Sequence, residues 1–470
     1  MILTLDLGTS RTKAALWGPD GLVGVADVAL VTTSPAPGAM EQDPSKWWAS
    51  VVAACTALGT ERPDGLGAVE VVTCTGARQT FGLFDAAGRP TGPGILWSDS
   101  RAAVEADGDV DPGGSVVAKL AWVAAHRADQ LERSAWILAP RDAVVWRLCG
   151  TVATDSTLAS LTGCYRPDGT VVDAVRGHLS DRLPPVVDSD RVIGVTGGDA
   201  AGALGIRPGL PVVIGAGDRP CEVLGTGATT AEPMVSWGTT ANVSLPVDAV
   251  PVPPLGGVVV TRGATGGWLL EGGLSGAGSF LAWLGRLCGR SPDELATLAA
   301  TSPPGARGVT AVPWLGGARA PWWRPGAGAA FVGLADAHGP ADLARAVVES
   351  VARDVARCLA VMGERIPAGP GVSGLGLAGG GASTPVWVEV LCGTTGLPAR
   401  YRRSGQTASA GAALLAARAT GDPWDLERLD PVAGGCDPDP AVVRTYADLT
   451  PRAQQVAESL VDLPPATARV

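Results

Sequence analysis

The sequence predicts an α/β protein built from two related domains, and three observations lead to this prediction. The chain has 470 residues, of which 46% are hydrophobic and 17% charged, enough for two or three well-buried domains. Short apolar runs alternate with segments of helical periodicity. A pattern of strand, Gly-Thr-Ser/Thr and strand occurs twice, about 230 residues apart. We therefore expect a sheet-plus-helix unit used twice, with domains over residues 1–228 and 229–470.

Six short apolar runs in the first hundred residues predict strands joined by tight turns. Three of them predict an antiparallel meander at 2–7, 14–17 and 22–30. Three more predict a second unit of the same kind at 69–73, 82–84 and 94–97. Between them, Asp43 as an N-cap and Pro44 at the first helical position predict a helix through EQDPSKWWASVVAAC. A further apolar-periodic helix is predicted over 115–126.

Composition narrows the classes of function. The formal charge is −10, the pI is about 4.9, and no basic cluster occurs, so neither nucleic acid nor an anionic membrane is an expected partner. The nine cysteines form no CxxC pair and the three histidines have no metal spacing, which argues against disulfides and zinc. No apolar run reaches the roughly 18 residues of a membrane span. Because the first strand pattern starts at Ile2, we expect no signal peptide and a cytoplasmic protein.

The stretch LDLGTSRTK places a carboxylate beside a turn rich in hydrogen-bond donors. The backbone N–H groups of such a turn can form a nest for phosphate oxygens, to which Thr9 and Ser10 add hydroxyls and Lys13 adds charge. Asp6 could hold Mg²⁺, or its waters, against the phosphates. An isolated DLGTS is more often a plain turn. The second copy, Gly238-Thr239-Thr240, favours a pair of hairpins that bind a triphosphate.

A glycine cluster follows a third strand pattern, at GLGLAGGGASTPVW. Gly380, Gly381 and Ala382 precede a helix that Pro385 opens, and a glycine turn before a helix N-terminus allows close approach by a nucleotide. The alternative is a cluster of glycines needed only for packing. The glycine turn Gly379-Gly380-Gly381 does not itself have the GxGxxG spacing, which argues against a dinucleotide fingerprint, and the chain contains no GxxxxGK[ST], which excludes the P-loop.

Asp218 is the candidate general base. It follows a buried strand at 211–214 in a glycine loop, and residues 221–224 indicate the start of a helix. A carboxylate at the C-terminal end of a strand, among small residues, could take a proton from a substrate hydroxyl. The alternative is that Asp218 only caps the helix.

The sequence resembles the FGGY carbohydrate kinases of the sugar kinase/actin/Hsp70 superfamily over essentially the whole chain. The most specific match is AAFVGLADAHGPADLARAVVE at 329–349, which fits the family's C-terminal signature. Further segments match in the family's order: EQDPSKWW, LWSDSR, KLAWV, TDSTLAS, PWLGGARAPWW and GGGASTPVW. The resemblance implies two RNase H-like (actin-like ATPase) domains with ATP and substrate in an interdomain cleft.

The resemblance also implies roles for individual residues. Asp218 matches the catalytic base, and Asp6 matches the carboxylate near Mg²⁺, so both are candidate metal ligands. Thr9 and Lys13 match the first phosphate hairpin, and Gly238 and Thr239 match the second. The nucleotide pocket is matched by four small residues: Gly278, Gly380, Gly381 and Ala382.

Substrate contacts are predicted mainly in TGARQTFG at 75–82. Arg78 and Gln79 stand where xylulokinases usually carry Met and His, and an Arg also occurs in the glycerol kinase motif. Arg can donate to several hydroxyls, and the Gln amide both donates and accepts. Four further candidates are given with their alternatives: Trp97 (or core), Asp99 (or a helix cap), Asp155 (or a surface turn) and Arg219 (or an ion pair with a local carboxylate).

The sequence therefore predicts an ATP-dependent kinase that phosphorylates a primary hydroxyl of a small sugar. A ketopentose such as xylulose or ribulose is the first choice of substrate, and glycerol or a tetritol is the second. An alternative of another class is a non-catalytic nucleotide-dependent sugar sensor on the same fold. The tryptophans 314, 322 and 323 could form a sugar-stacking platform, but buried loop aromatics are commoner. The oligomeric state is left open, a homodimer included.

Overall fold

The computed structural model describes residues 1–102, 115–173, 179–250, 257–364 and 371–463. The chain forms two compact units, each assembled from more than one stretch of sequence. Unit 1 contains Met1–Gly225, Thr261–Gly267 and Gln406–Pro431. Unit 2 contains Thr226–Val260, Trp268–Gly405 and Val432–Val470. The chain first leaves unit 1 after Gly225 and later returns to it twice.

The described strands, in chain order, are β1 (Ile2–Leu7), β2 (Arg11–Gly18), β3 (Gly21–Ala29), β4 (Glu41–Gln42), β5 (Val71–Gly76), β6 (Gly82–Phe84), β7 (Gly94–Ile95), β8 (Trp136–Leu138), β9 (Thr154–Asp155), β10 (Val186–Val187), β11 (Val192–Val195), β12 (Pro211–Gly217), β13 (Met234–Trp237), β14 (Ala241–Val247), β15 (Val259–Arg262), β16 (Trp268–Gly273), β17 (Thr310–Val312), β18 (Ala330–Val332), β19 (Leu375–Ala378), β20 (Ala399–Arg402) and β21 (Val432–Cys436).

The described α-helices are α1 (Ser45–Glu61), α2 (Val116–His126), α3 (Ala128–Glu132), α4 (Pro140–Cys149), α5 (Ser156–Ala159), α6 (Gly198–Leu204), α7 (Asp218–Thr226), α8 (Gly278–Cys288), α9 (Pro292–Ala299), α10 (Pro340–Gly363), α11 (Pro385–Thr395), α12 (Thr407–Ala419), α13 (Leu426–Leu429) and α14 (Pro440–Val461). Within the described ranges, no helix is both long enough and apolar enough to cross a membrane.

The central sheet of unit 1 has six strands in the order β11-β12-β5-β1-β2-β3. β1, β2 and β3 pair antiparallel in sequence, so the first predicted meander is confirmed. The second is wrong: β5 pairs parallel with β1, β6 pairs with β8, and β7 pairs with β4. Every residue of β5 is buried, as is typical of a strand inside a parallel sheet covered on both faces. The strands that pair with β5 are distant in sequence, so the local sequence does not predict them.

The sheet of unit 2 repeats the same arrangement. Its order is β15-β16-β14-β13-β19-β20-β21. The antiparallel set β13, β14 and β16 corresponds to β1, β2 and β3. β19 and β20 then add in parallel, as β5 and β12 do in unit 1. The predicted duplication of a sheet-plus-helix unit and the α/β class are therefore confirmed.

Local sequence accounts for the starts of the helices near the predicted site. α1 begins at Ser45, one residue later than predicted, and Asp43 Oδ1 accepts the Ser45 N–H at 2.9 Å. α2 lies where predicted, with Ser115 as its N-cap accepting the Ala118 N–H at 3.3 Å. In unit 2 the long helix α10 is buried along most of its length and packs against the core of that unit.

Candidate functional site

Asp218 stands at the direct junction of a strand and a helix in unit 1. β12 ends at Gly217 and α7 begins at Asp218, so the predicted glycine loop between them is wrong. Gly215 and Gly217 instead belong to the C-terminal end of the strand. Asp218 Oδ1 accepts the N–H of Arg219 at 2.8 Å, and a third of its side chain stays exposed. The carboxylate is therefore fixed by the helix N-terminus and still reachable from solvent.

Arg78 forms an ion pair with that carboxylate. It follows β5, whose Gly76 pairs in register with Gly217 of β12, so the ends of two parallel strands bring both side chains together. Arg78 is buried, and its Nε lies 3.5 Å from Asp218 Oδ1. A Cβ at Gly217 would lie 2.6 Å from Arg78 Cδ, so any larger residue at position 217 would displace the Arg78 side chain.

Asp6 brings a second carboxylate into the electrostatic reach of Asp218. It lies on β1 opposite Lys13 of β2 and beside Thr75 of β5. Burial raises its pKa to about 7, the Lys13 charge lowers it, and the charges of Asp218 and Glu222 raise it further. Unit 1 thus concentrates negative charge at the ends of β1 and β12, where a cation would be favoured.

These carboxylates fit Mg²⁺ better than a metal held by protein ligands alone. The described part of the chain contains no group of three or more His, Cys, Asp or Glu side chains that could hold a metal. Mg²⁺ typically takes one or two carboxylates and completes its shell with water and substrate phosphates. Asp6 and Asp218 are two such carboxylates. Burial, and then the charges of Asp218 and Glu222, raise the pKa of Asp6, so a cation at this position would favour its ionised form.

The first hairpin turn is held by Trp97 and by two glutamines, Gln42 and Gln406, that the sequence did not single out. Thr9 Oγ1 accepts from Trp97 Nε1 at 3.0 Å, and the Thr9 carbonyl accepts from Gln42 Nε2 at 2.6 Å. Lys13 Nζ donates to Gln406 Oε1 at 3.0 Å, while Ser10 is exposed. The predicted residues Thr9 and Trp97 are thus brought together. Gln406 is distant in sequence from the hairpin, so no local signal could reveal it.

Gln79 and the segment before Asp99 border the same region of unit 1. Gln79 has a φ of 59°, and its Nε2 donates to the Leu161 carbonyl at 3.3 Å. A cavity of only about 40 Å³ lies beside Gln79, far below the roughly 300 Å³ of a typical ligand pocket. Lys119 is buried and donates from Nζ to the carbonyls of Leu96 and Trp97, at 2.8 Å each. Lys119 therefore fixes the backbone at Trp97.

Two predicted substrate residues are buried in polar networks. Asp99 accepts from the Met40 N–H at 2.8 Å and from Arg101 Nη2 at 2.7 Å. Asp155 has no exposed surface, and the alternative of a surface turn is wrong. Its carboxylate accepts from Arg141 Nη2 at 2.5 Å and from Ser189 Oγ at 2.6 Å. With their oxygens so engaged, both residues are placed to support the loops around them.

Arg219 pairs with a local carboxylate, which was the alternative given for it. Its Nη1 lies 2.5 Å from Glu222 Oε2, one turn along α7. Glu222 in turn contributes to the raised pKa of Asp6. Arg219 therefore partly neutralises the carboxylate group at this end of the sheet.

In unit 2 the second hairpin meets the start of α8. The turn Gly238-Thr239-Thr240 joins β13 to β14, as LGTS joins β1 to β2. The Gly278 N–H donates to the Gly238 carbonyl at 3.1 Å, and the Ser279 N–H donates to the Thr239 carbonyl at 2.9 Å. The side chain of Thr239 remains exposed. The hairpin turn is therefore fixed through its backbone.

The glycine cluster contacts the same strand end. Gly379 follows β19 with a φ of 81°, and the N–H of Gly381 donates to the Trp237 carbonyl at 3.2 Å. A Cβ at Gly380 would meet no atom within 4 Å, whereas Ala382 is buried. Gly238, Gly278 and Gly381 are thus gathered around the end of β13. This arrangement leaves open space over Gly380.

Comparison with known proteins assigns both halves of the chain to one group. The model of the FGGY family of carbohydrate kinases, N-terminal domain, matches residues 1–108 and 109–225, and the C-terminal domain model matches residues 234–420. A xylulose kinase of Klebsiella pneumoniae is 32% identical over 457 residues, covering 91% of this chain and 92% of that protein. A glycerol kinase of Aromatoleum aromaticum is 30% identical over 473 residues, with 91% and 92% covered. The crystal structure of xylulose kinase from Rhodospirillum rubrum superposes with a TM-score of 0.84 at 26% identity, covering 97% of this chain and 98% of that chain.

Proposed function

The chain belongs to the FGGY family of carbohydrate kinases, and from this premise we propose that it phosphorylates a primary hydroxyl of a ketopentose such as xylulose or ribulose, with ATP as the donor. The predicted family and the actin-like two-domain fold are confirmed, so the chain is a sugar kinase. Family members use ATP. The xylulose kinase relatives support the choice of a pentulose.

The proposed base is Asp218, and the observation that carries the proposal is its setting. It is partly exposed, fixed at a helix N-terminus, and 3.5 Å from the buried Arg78. In the reaction the substrate hydroxyl oxygen bonds to the γ-phosphorus, the bond from that phosphorus to the β,γ-bridging oxygen breaks, and ADP leaves. Asp218 takes the hydroxyl proton. We propose that Arg78 holds the carboxylate in one orientation and donates to the substrate hydroxyls.

Most of the remaining candidate residues are proposed to bind and position the nucleotide. We assign phosphate contacts in unit 1 to Thr9, Ser10 and Lys13. In unit 2 we assign them to Gly238, Thr239 and Thr240, with Gly278, Gly380, Gly381 and Ala382 around the nucleoside. Mg²⁺, when bound at Asp6 and Asp218, would neutralise charge on the phosphates. Trp97 and Gln79 are proposed substrate contacts, and Asp99, Asp155 and Arg219 act by supporting the residues around them.

A polyol kinase is the second candidate, because the glycerol kinase relative covers the chain as fully as the xylulose kinase does. A coupled assay with ATP, Mg²⁺ and a panel of D-xylulose, D-ribulose, glycerol and erythritol tests both. We expect the highest kcat/KM with one of the pentuloses. Turnover of glycerol or erythritol alongside failure of both pentuloses would reverse the order, and failure of all four would contradict the proposal.

A further inference from the structure

A pocket of about 410 Å³ in unit 2 lies apart from every residue assigned above, and we propose that it binds a neutral monosaccharide or polyol as a second ligand. Its walls come from the second half of α10, from the C-terminal helix α14 and from the loop with the two tryptophans Trp314 and Trp322. Its volume lies within the range of about 300–1,000 Å³ that is common for small-molecule sites. The inference does not rest on the proposed function.

Two residues of the wall carry buried polar atoms that find no hydrogen-bond partner in the described part of the chain. These atoms are Nη1 of Arg353 and Oγ1 of Thr394. The indole of Trp314 interacts with the Asp354 carboxylate and lowers its pKa. Buried polar groups are nearly always satisfied, and leaving one unsatisfied costs about 1–3 kcal/mol. Arg353 Nη1 can only donate, and the Thr394 hydroxyl can also donate, so an occupant of the pocket must offer oxygen acceptors.

The charges around the pocket favour a ligand without net charge. Arg353 and Arg357 are matched by two acids of the wall, Asp354 and Glu364. The arginines are also engaged by other groups: Arg353 Nη2 lies 2.9 Å from Glu349 Oε2, and the Arg357 guanidinium lies 3.8 Å from the ring centre of Trp322. Each of these two arginines already has a charged or aromatic partner, which disfavours a phosphate as the occupant.

A polyhydroxylated molecule fits the remaining chemistry. Burial raises the pKa of Asp354 to about 6, while Trp322, Trp314, Arg357 and Arg353 lower it, so the carboxylate is mainly ionised at neutral pH and can accept from hydroxyls. The indole N–H of Trp322 already donates to Oδ1 of Asp354 at 3.3 Å. Hydroxyl oxygens can accept from the unsatisfied donors, and the alanines of α10 and α14 leave room for C–H faces.

Equilibrium dialysis with radiolabelled D-xylulose, and separately with xylitol, tests this inference without nucleotide. Ala356→Leu on α10 and Ala457→Leu on α14 fill the pocket from opposite walls without removing a polar group. Gln455→Leu is the matched control, because Gln455 is exposed and does not line the pocket. Arg78→Ala reports on the proposed catalytic site. Circular dichroism and the Tm establish that each variant is folded.

We expect two sites per chain in the wild type and in Gln455→Leu, with at least a tenfold loss of affinity at one of them in each pocket-filling variant. Arg78→Ala should weaken the other site only. One site that disappears on pocket filling and survives Arg78→Ala would support the inference and contradict the proposed substrate. Equal binding by the wild type and both folded pocket-filling variants would overturn it. So would inorganic phosphate binding in the pocket more tightly than either neutral probe.

Discussion

At the residue scale, the proposed chemistry depends on one carboxylate that is both held and exposed. Asp218 begins α7 and accepts the backbone N–H of Arg219. Asn can keep that cap but cannot take a proton. We expect Asp218→Asn to lower kcat by about 10²–10⁴-fold, with the Kd for ATP nearly unchanged. Asp199→Asn, at the exposed first turn of α6, is the matched control. Near-normal turnover in Asp218→Asn would show that Asp218 only caps the helix and is not the base.

Replacing Arg78 should change the kinetic constants for the sugar without changing those for ATP. Arg78→Ala takes away donors beside Asp218 in a buried position. Leaving the partners unpaired should cost roughly 1–3 kcal/mol, seen as a lower kcat/KM for the best sugar. The KM for ATP should change little. Arg89→Ala, which removes an exposed arginine paired with Asp85, supplies the control. Identical sugar kinetics for Arg78→Ala and wild type would remove Arg78 from the site.

Gly217 could not be singled out from the sequence, because its role is steric. Nothing in PVVIGAGD indicates that a Cβ would strike an arginine about 140 residues earlier in the chain. Asp99 and Asp155 show the same limit. Both were predicted as substrate contacts, yet their partners Met40, Arg141 and Ser189 lie elsewhere in the sequence and meet them only in the folded chain. The sequence therefore indicates which residue types gather in unit 1, but not which of them stay accessible.

At the scale of elements, the two hairpins were predictable because each is a local pattern. A strand, a Gly-Thr turn and a return strand need no distant partner, and both pair as expected. The most specific sequence signature has a structural role instead. Asp342 of α10 accepts from Ser302 Oγ at 2.7 Å, and Glu349 accepts from the Gly305 N–H at 2.8 Å. These carboxylates fix a neighbouring loop of unit 2.

The glycine cluster gives a prediction at the same scale. Gly380 has open space where a Cβ would be, so Gly380→Ala should leave the Tm within about 2 °C, since surface changes usually stay within ±0.5 kcal/mol. If that space receives the nucleotide, the Kd for ATP should rise at least fivefold, as measured by calorimetry. Gly328→Ala is the control, because Gly328 is equally open and belongs to no proposed site. An unchanged Kd in Gly380→Ala would exclude Gly380 from the nucleotide site.

At the scale of the whole molecule, buried acids in both units link stability to pH. Burial raises the pKa of Asp142 in unit 1 and of Asp354 in unit 2 to about 6 each, against a usual value near 3.8. Asp142 faces the charges of Arg141 and Asp155, and Asp354 those of Arg353 and Arg357. Each folded unit therefore binds a proton more tightly than the unfolded chain does. Their contribution is complete below about pH 4 and is lost as the pH rises through 6.

We therefore expect the Tm to fall as the pH rises from 5 to 7.5, and to fall less in the double variant Asp142→Asn/Asp354→Asn. Each pKa unit corresponds to about 1.4 kcal/mol, so the variant should be the more stable protein at pH 7.5. Differential scanning calorimetry across this range measures both effects. Asp199→Asn again serves as the control, and a double variant that shows the full wild-type slope would contradict the assignment.

The return of the chain to unit 1 has a consequence for how the protein is made. Ser409 of α12 bonds Thr4 Oγ1 at 2.6 Å and accepts from Trp17 Nε1 at 2.8 Å, so the first two strands meet a helix from the last segment of that unit to be synthesised. On the ribosome α12 follows Gly225 by roughly 200 residues, a delay of about 10–40 s at 5–20 residues per second. During that time the Trp17 indole lacks its bond to Ser409, and the face of β1 that α12 covers lacks that helix. A fragment that stops at residue 228 keeps that face uncovered permanently, whereas one that extends to Pro431 contains every segment of unit 1.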